Sequence, residues 1–139
     1  MYTVKQVSAL LDLTAHTVRY YTDMNLIPML ERDHNNNRLF NEEAVNWLKA
    51  IKTLRGCGMS IEGIKHYLDL CLEGDSSVPE RYDIFLKQKE IVDAQMREIM
   101  EHAHFLENKL AHYKQIMSNG IPDDTNPLKW VTPAKDIAV

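Results

Sequence analysis

The sequence predicts a mostly α-helical chain: a small domain of short helices and one hairpin, followed by a single long helix. Three observations carry that prediction. Apolar residues recur at helical spacing behind capping residues through most of residues 3–73. One stretch between them, NLIPMLERDHNNNRLF, has no helical period and is dense in turn formers. From Phe85 to Met117 a 4-3-4-3 alternation then runs through ten positions, apolar at all but Lys89. On this reading residues 1–74 form the first domain, 77–118 the long helix and 119–139 an irregular tail.

The first helix opens at Thr3, which stands three residues before Gln6 in the spacing of a capping box, and Val4, Val7, Leu10 and Leu11 carry it to about Leu11. Thr14 caps a second helix with Val18, Tyr21 and Met24 on one face. With only Asp12-Leu13-Thr14 between them, the two make a helix-turn-helix. Pro28 ends the pattern. Leu26-Ile27 and Leu39-Phe40 are short apolar pieces that would pair as a hairpin, or wing, with Asn35–Asn37 at its tip, because Asn tolerates left-handed backbone. Asn41 caps a third helix that turns Ala44, Val45, Leu48 and Ile51 inward and ends at Gly56 and Gly58. Ser60 caps a fourth, apolar at Ile61, Ile64, Tyr67 and Leu68, that ends near Gly74. Ser77 and Glu80 repeat the capping-box spacing, with Pro79 in the first turn of the long helix.

A helix of some forty residues is about 60 Å long. Its seam of Phe85, Val92, Met96, Ile99, Ala103, Leu106, Leu110, Tyr113 and Met117 needs a partner helix. The plain alternative is a helix that folds back within one chain; with no second long helix in the sequence, the expected partner is a second copy and the chain a homodimer. After Gly120 the tail carries three prolines, yet Leu128, Trp130 and Val131 are apolar enough to pack on a neighbour.

Charge alone indicates no partner. Residues 1–72 hold eight Lys/Arg and eight Asp/Glu, and the whole chain carries a formal charge of −4. If the domain binds nucleic acid, its bases must gather on one face. No apolar run approaches the roughly 20 residues a membrane span needs. The opening MYTVKQVSALLDL does not read as a signal peptide, and two cysteines make no disulfide framework. The expected setting is cytoplasmic. Phosphate-binding glycine loops and nucleophile–base pairs are missing, so the sequence does not point to an enzyme, and no cofactor is implied.

The second helix, HTVRYYTDMNLIP, sets Arg19 and Tyr20 on its solvent side, where a core helix has no use for them. TVRYYTDMNLIP, then NNNRLFNEEAVNWL, then IKTLRGCGMSIEGIKHYL, all ahead of a coiled-coil helix, resembles the MerR family of transcriptional regulators over roughly residues 3–118. The resemblance implies a winged helix-turn-helix on each protomer, with the long helices pairing antiparallel. It also implies a homodimer that binds double-stranded promoter DNA, bends and untwists the spacer, and so acts on RNA polymerase indirectly. By position it carries over Ala15, His16, Thr17, Arg19 and Tyr20 as recognition-helix contacts, Arg38 as the wing arginine and Arg55 as a phosphate contact. Asp12, Asn25 and Asn36 stand where the family often has glycine, and these types hold left-handed backbone best among the rest. Asn37 replaces a common wing tyrosine and Thr22 a common glutamate. A protein-interaction or anti-activator module on the same scaffold is the alternative, with the neutral charge of residues 1–72 as its support.

No cysteine follows Cys71, so the metal-sensing pattern does not carry over. Glu98, Glu101, His102, His104 and His112 do not assemble a tetrahedral set; no metal is expected. The chain looks most like small, metal-free members that respond to aldehydes or other electrophiles. Their sensing cysteine aligns with Thr53 here and cannot be carried over. Cys57, beside Arg55 and just ahead of the fourth helix, is the candidate thiol sensor, with turn filler as the plain alternative. Cys71, in the last turn of the fourth helix, is expected to be buried. The helix between them separates the two cysteines by about 20 Å, too far for an intrachain disulfide.

Overall fold

The computed structural model describes residues 1–131. They divide into two compact units, Met1–Ala94 and a second from Gln95 onward. In the first, strand β1 (Tyr2–Thr3) leads into α1 (Val4–Leu11) and α2 (Ala15–Asp23). Strands β2 (Glu31–Arg32) and β3 (Arg38–Phe40), then α3 (Glu42–Gly56) and α4 (Ile61–Glu73), follow. A 3-10 turn at Asp75–Ser77 then gives way to α5 (Val78–Asn119), which continues into the second unit. The fold is the winged helix-turn-helix with a long trailing helix that the sequence predicts.

The caps explain the helix starts. Thr3 accepts from the Gln6 amide while the Gln6 side chain accepts from the Thr3 amide, which is the capping box. Thr14, Asn41 and Ser60 each accept the amide three residues on. The turns use left-handed residues as their side chains permit: φ is 52° at Asp12, 58° at Asn25 and 63° at Asn36. Met29, at φ 51°, is the outlier among them, having neither glycine's freedom nor an Asx side chain.

One core gathers the short elements. Val7 and Leu11 of α1, Val18 and Tyr21 of α2, Phe40 of β3, Leu48 and Ile51 of α3, and Ile64 and Leu68 of α4 are all buried. Tyr21 therefore belongs to the core, while Leu10 and Met24, expected on the inner faces, are exposed.

The hairpin differs from its predicted form. β3 pairs with Glu31–Arg32, in register Glu31 to Leu39 and Arg32 to Arg38, not with Leu26-Ile27. Leu26 and Ile27 are buried without strand structure and serve the core; a short apolar run cannot by itself distinguish those roles. β3 also pairs with β1, Tyr2 against Phe40, a two-residue strand with no pattern to announce it. Ser77, expected to cap the long helix, is buried with its hydroxyl on the Leu70 and Gly74 carbonyls.

In the second unit α5 leaves its seam open. Met96, Ile99, Ala103, Leu106, Leu110, Tyr113 and Met117 are all exposed. As far as Val131 the tail after α5 is more ordered than predicted, with a 3-10 turn at Pro127–Lys129. Asp124 pairs with His112 at 2.6 Å, and the Thr125 hydroxyl shares a 2.8 Å hydrogen bond with that of Tyr113. The His112 hydrogen bond holds the Asp124 carboxyl below its ordinary range. Trp130 donates from Nε1 to the Asp124 carbonyl, whereas Leu128 and Val131 stay solvent-exposed.

Candidate nucleic-acid interface

α2 turns two faces in opposite directions because its apolar residues sit three apart. Val18 and Tyr21 face the core, so His16, Arg19 and Tyr20 are left exposed. At its N-terminus Thr14 Oγ1 receives the Thr17 amide at 3.0 Å and lies 2.8 Å from the Thr17 hydroxyl. Ala15 and Thr17 are half-buried beside that cap. Tyr20 keeps 43% of its surface, its ring centroid 6.0 Å from that of Tyr21. Arg19 makes no ion pair or side-chain hydrogen bond among the described residues, leaving its guanidinium available.

The wing beside it is built around one carboxylate. Asp33 Oδ1 accepts the amides of Asn35 and Asn37, each at 2.9 Å, and Oδ2 accepts the Asn37 side-chain amide at 3.1 Å. The Asn37 amide, chief among these, holds the Asp33 carboxyl below its ordinary value. Arg32 adds a hydrogen bond to the Asn36 carbonyl at 3.0 Å. Asn37, in the place of an aromatic, is thus occupied in shaping the tip. Arg38 leans from β3 to α2 and pairs with Asp23 Oδ1 at 2.8 Å. Its Nε is buried with no hydrogen-bond partner among the described residues.

These pieces meet in a cleft of about 310 Å³ between the start of α1, α2 and the wing, lined by Lys5, Arg19, Arg38, Asp33, Asn36 and Asn37 among others. Of its three cations Arg38 is paired with Asp23, and the one lining acid, Asp33, is already held by amides, so Lys5 and Arg19 are left without a carboxylate among the described residues. Lys5 and Asn36 were not singled out from the sequence as site residues. A lone lysine in a first turn carries no signal until the wing folds over it. Arg55 does not line this cleft; its guanidinium donates to the Met59 carbonyl at 2.8 Å across the α3–α4 turn.

Cys57 is exposed and free. It caps the C-terminal end of α3, with its amide on the Thr53 and Arg55 carbonyls, and the N-cap of α4 is Ser60. Its carbonyl accepts from Gln88 of α5 at 2.7 Å. Beside it an apolar cavity of about 270 Å³ is lined by Leu54, Met59, Phe85 and Val92 among others. Cys71, expected to be buried, is half-buried, 4.0 Å from the Arg81 guanidinium. Burial, more than its hydrogen bond to Cys71, pushes the Tyr67 phenol up. Among the described residues no three His, Cys, Asp or Glu side chains converge as a metal site, and no helix is long and apolar enough to cross a membrane.

Comparison with known proteins fits this geometry. The family of MerR HTH regulatory proteins matches residues 2–71, and the "MerR, DNA binding" family matches residues 45–113. An uncharacterized HTH-type transcriptional regulator of Haemophilus influenzae is 31% identical over 119 residues, 86% of this chain and 88% of that protein. The HTH-type transcriptional regulator AdhR of Bacillus subtilis is 37% identical over 87 residues, 63% of this chain and 62% of AdhR. Among solved structures, HiNmlR, described as a MerR family regulator lacking the sensor domain and bound to promoter DNA, superposes with a TM-score of 0.71. It is 31% identical, with 86% of this chain and 94% of that one covered.

Proposed function

The chain belongs to the MerR family of helix-turn-helix regulatory proteins, and on that premise we propose how it engages DNA. It is a DNA-binding transcription regulator, not an enzyme. Residues 1–74 form the DNA-binding domain, 77–118 the dimerisation helix and 119–139 the tail. α2 enters the major groove with Ala15, His16 and Thr17 toward base edges, while Arg19 and Tyr20 meet the backbone. Lys5 and Arg38 take the phosphate that crosses the wing cleft, and Arg55 a phosphate at the α3–α4 turn. Two copies pair antiparallel along the seam Phe85–Met117, so that protein symmetry sets half-site spacing and the bound spacer is bent and untwisted for RNA polymerase. The protein works in the cytoplasm.

The observation that carries this reading is the cleft: Arg19, Lys5 and Arg38 converge on one face, although residues 1–72 carry no net charge. The test is binding of purified dimer to the DNA upstream of its own gene across a salt series. Steep loss of affinity with salt is expected from several phosphate contacts. A protein-interaction module would show no binding at any salt.

A thiol response is a second part of the proposal, favoured by an exposed Cys57 that lines an apolar cavity. A small aldehyde would add to Sγ as a hemithioacetal: the S–C bond forms as the carbonyl π bond opens, and the thiol proton passes to the carbonyl oxygen. Transcription from the same promoter should change with a small aldehyde in wild type and not in Cys57→Ser. Equal behaviour of the two proteins would return Cys57 to turn filler.

A further inference from the structure

The ion pair between α2 and the wing sets an acid on a cation that the proposed interface needs. Arg38 Nη2 lies 2.8 Å from Asp23 Oδ1. The guanidinium is the inner member of the pair: the Arg38 side chain is 21% exposed and that of Asp23 62%. Nε of Arg38 is buried and has no hydrogen-bond partner among the described residues. A guanidinium grips an oxyanion with two N–H groups along one of two edges, Nε with Nη2 or Nη1 with Nη2. Burial of Nε closes the first edge to a ligand arriving in the cleft that Arg38 lines with Lys5 and Arg19. The second edge includes Nη2, the nitrogen that Asp23 already holds.

Helix stability does not account for an acid at this position. Asp23 is the last residue of α2, and the last turn of that helix carries no basic residue. The C-terminal end of a helix bears partial negative charge, which disfavours a carboxylate. The charge that offsets this cost is Arg38, fifteen residues on in the wing.

We propose that Asp23 is an internal competitor for DNA phosphate: it occupies Arg38 in the free protein, and a phosphate engages the wing arginine by taking its place. Asp23 itself touches no DNA and acts through Arg38. The exchange breaks one ion pair per protomer, so the acid weakens the hold on the DNA backbone. An exposed pair of this kind corresponds to about twofold in affinity, and two per dimer to about fivefold. The inference rests on the DNA-binding reading above.

The test uses the purified full chain and one duplex that wild type selects in vitro from random sequence. Affinities are measured at about 150 mM salt, where a Debye length of about 8 Å mutes effects that act through space rather than through contact. Asp23→Asn keeps an acceptor for Nη2 and removes the charge. It should bind about fivefold more tightly than wild type. Asp23→Glu keeps the charge and should bind within about twofold of wild type. In an Arg38→Ala background there is no arginine to release, and adding Asp23→Asn should gain less than about twofold. Unchanged or weaker binding by folded, dimeric Asp23→Asn overturns the proposal and leaves the acid as a prop for the wing. A fivefold gain that persists without Arg38, or that Asp23→Glu shares, overturns it as well. If Asp23→Asn does not fold, Asp23→Ser decides by the same comparison. Wild type selecting no duplex at all would instead remove the DNA reading, and this inference with it.

Discussion

Arg19→Ala isolates the electrostatic part of the proposed interface. The side chain projects from the exposed face of α2 and engages no carboxylate or carbonyl among the described residues. Its removal should therefore cost the fold less than about 0.5 kcal/mol. On the proposed interface it removes one phosphate contact per protomer, two per dimer. Each such contact contributes about 0.9 to the slope of log affinity against log salt, so the variant's slope should be shallower by about 1.8. Between 50 and 200 mM salt, wild type should then lose about 12-fold more affinity than Arg19→Ala does. Anisotropy titrations of one labelled duplex at four salt concentrations measure both slopes. Arg38→Ala is the informative contrast, since Arg38 already pairs with Asp23 at 2.8 Å and holds the wing to α2. It should weaken binding through the wing's position as well as through charge. If folded Arg19→Ala binds the same duplex with an unchanged slope, Arg19 does not meet phosphate and the orientation assigned to α2 is wrong.

Three further outcomes are expected. Asp33 organises the wing tip as a carboxylate, and its pKa is lowered from an ordinary 3.8. Its contribution is therefore present above that value and lost as pH falls through the lower folded value. Amide exchange at Asn35 and Asn37 should accelerate in Asp33→Ala at neutral pH; unchanged protection there would mean that other contacts shape the tip. Met29 is 82% exposed with left-handed backbone, so Met29→Asn should relieve about 1 kcal/mol of backbone cost and raise the melting temperature; a lower one would show that its side chain contributes packing. Ile99→Lys, in the middle of the open seam, should give monomers by sedimentation at micromolar concentration with the short helices intact. A full dimer would move the interface elsewhere.

Legibility in the sequence followed the narrowness of each local demand. Asp12, Asn25 and Asn36 could be assigned to left-handed turns because few side chains tolerate them, and all three adopt that backbone. The caps at Thr3, Thr14, Asn41 and Ser60 were readable for the same reason. Ser77 misled because spacing to Glu80 imitates a capping box, while the carbonyls that claim its hydroxyl, Leu70 and Gly74, belong to the preceding helix end. Leu26-Ile27 misled because a two-residue apolar run has no period to distinguish strand from core filler. Cys57 adjoins α4 in sequence, but its backbone closes α3. The candidate site was legible as residues and not as a place. That Arg19 and Arg38 share a cleft with Lys5 depends on a wing folding across α1, and that Arg38 pairs with Asp23 depends on a contact fifteen residues apart.

That contact bears on the neutral charge count, which favoured an interaction module in the sequence reading. The acids of residues 1–72 are mostly committed within the fold. Asp23 pairs with Arg38 and Asp69 with Lys65. Asp33 is held by wing amides, and Glu42 accepts from the Tyr2 hydroxyl at 2.8 Å. Glu42 and Glu43 lie in the first turn of α3 and Glu62 in that of α4, where the helix dipole favours negative charge. Lys5 and Arg19 have no such engagement among the described residues. An approaching polyanion within a Debye length of about 8 Å responds to that local imbalance, not to the domain total. A net charge of zero is therefore compatible with a strongly salt-dependent interface, because most of the anions are internal partners and two unengaged cations, Lys5 and Arg19, share one cleft.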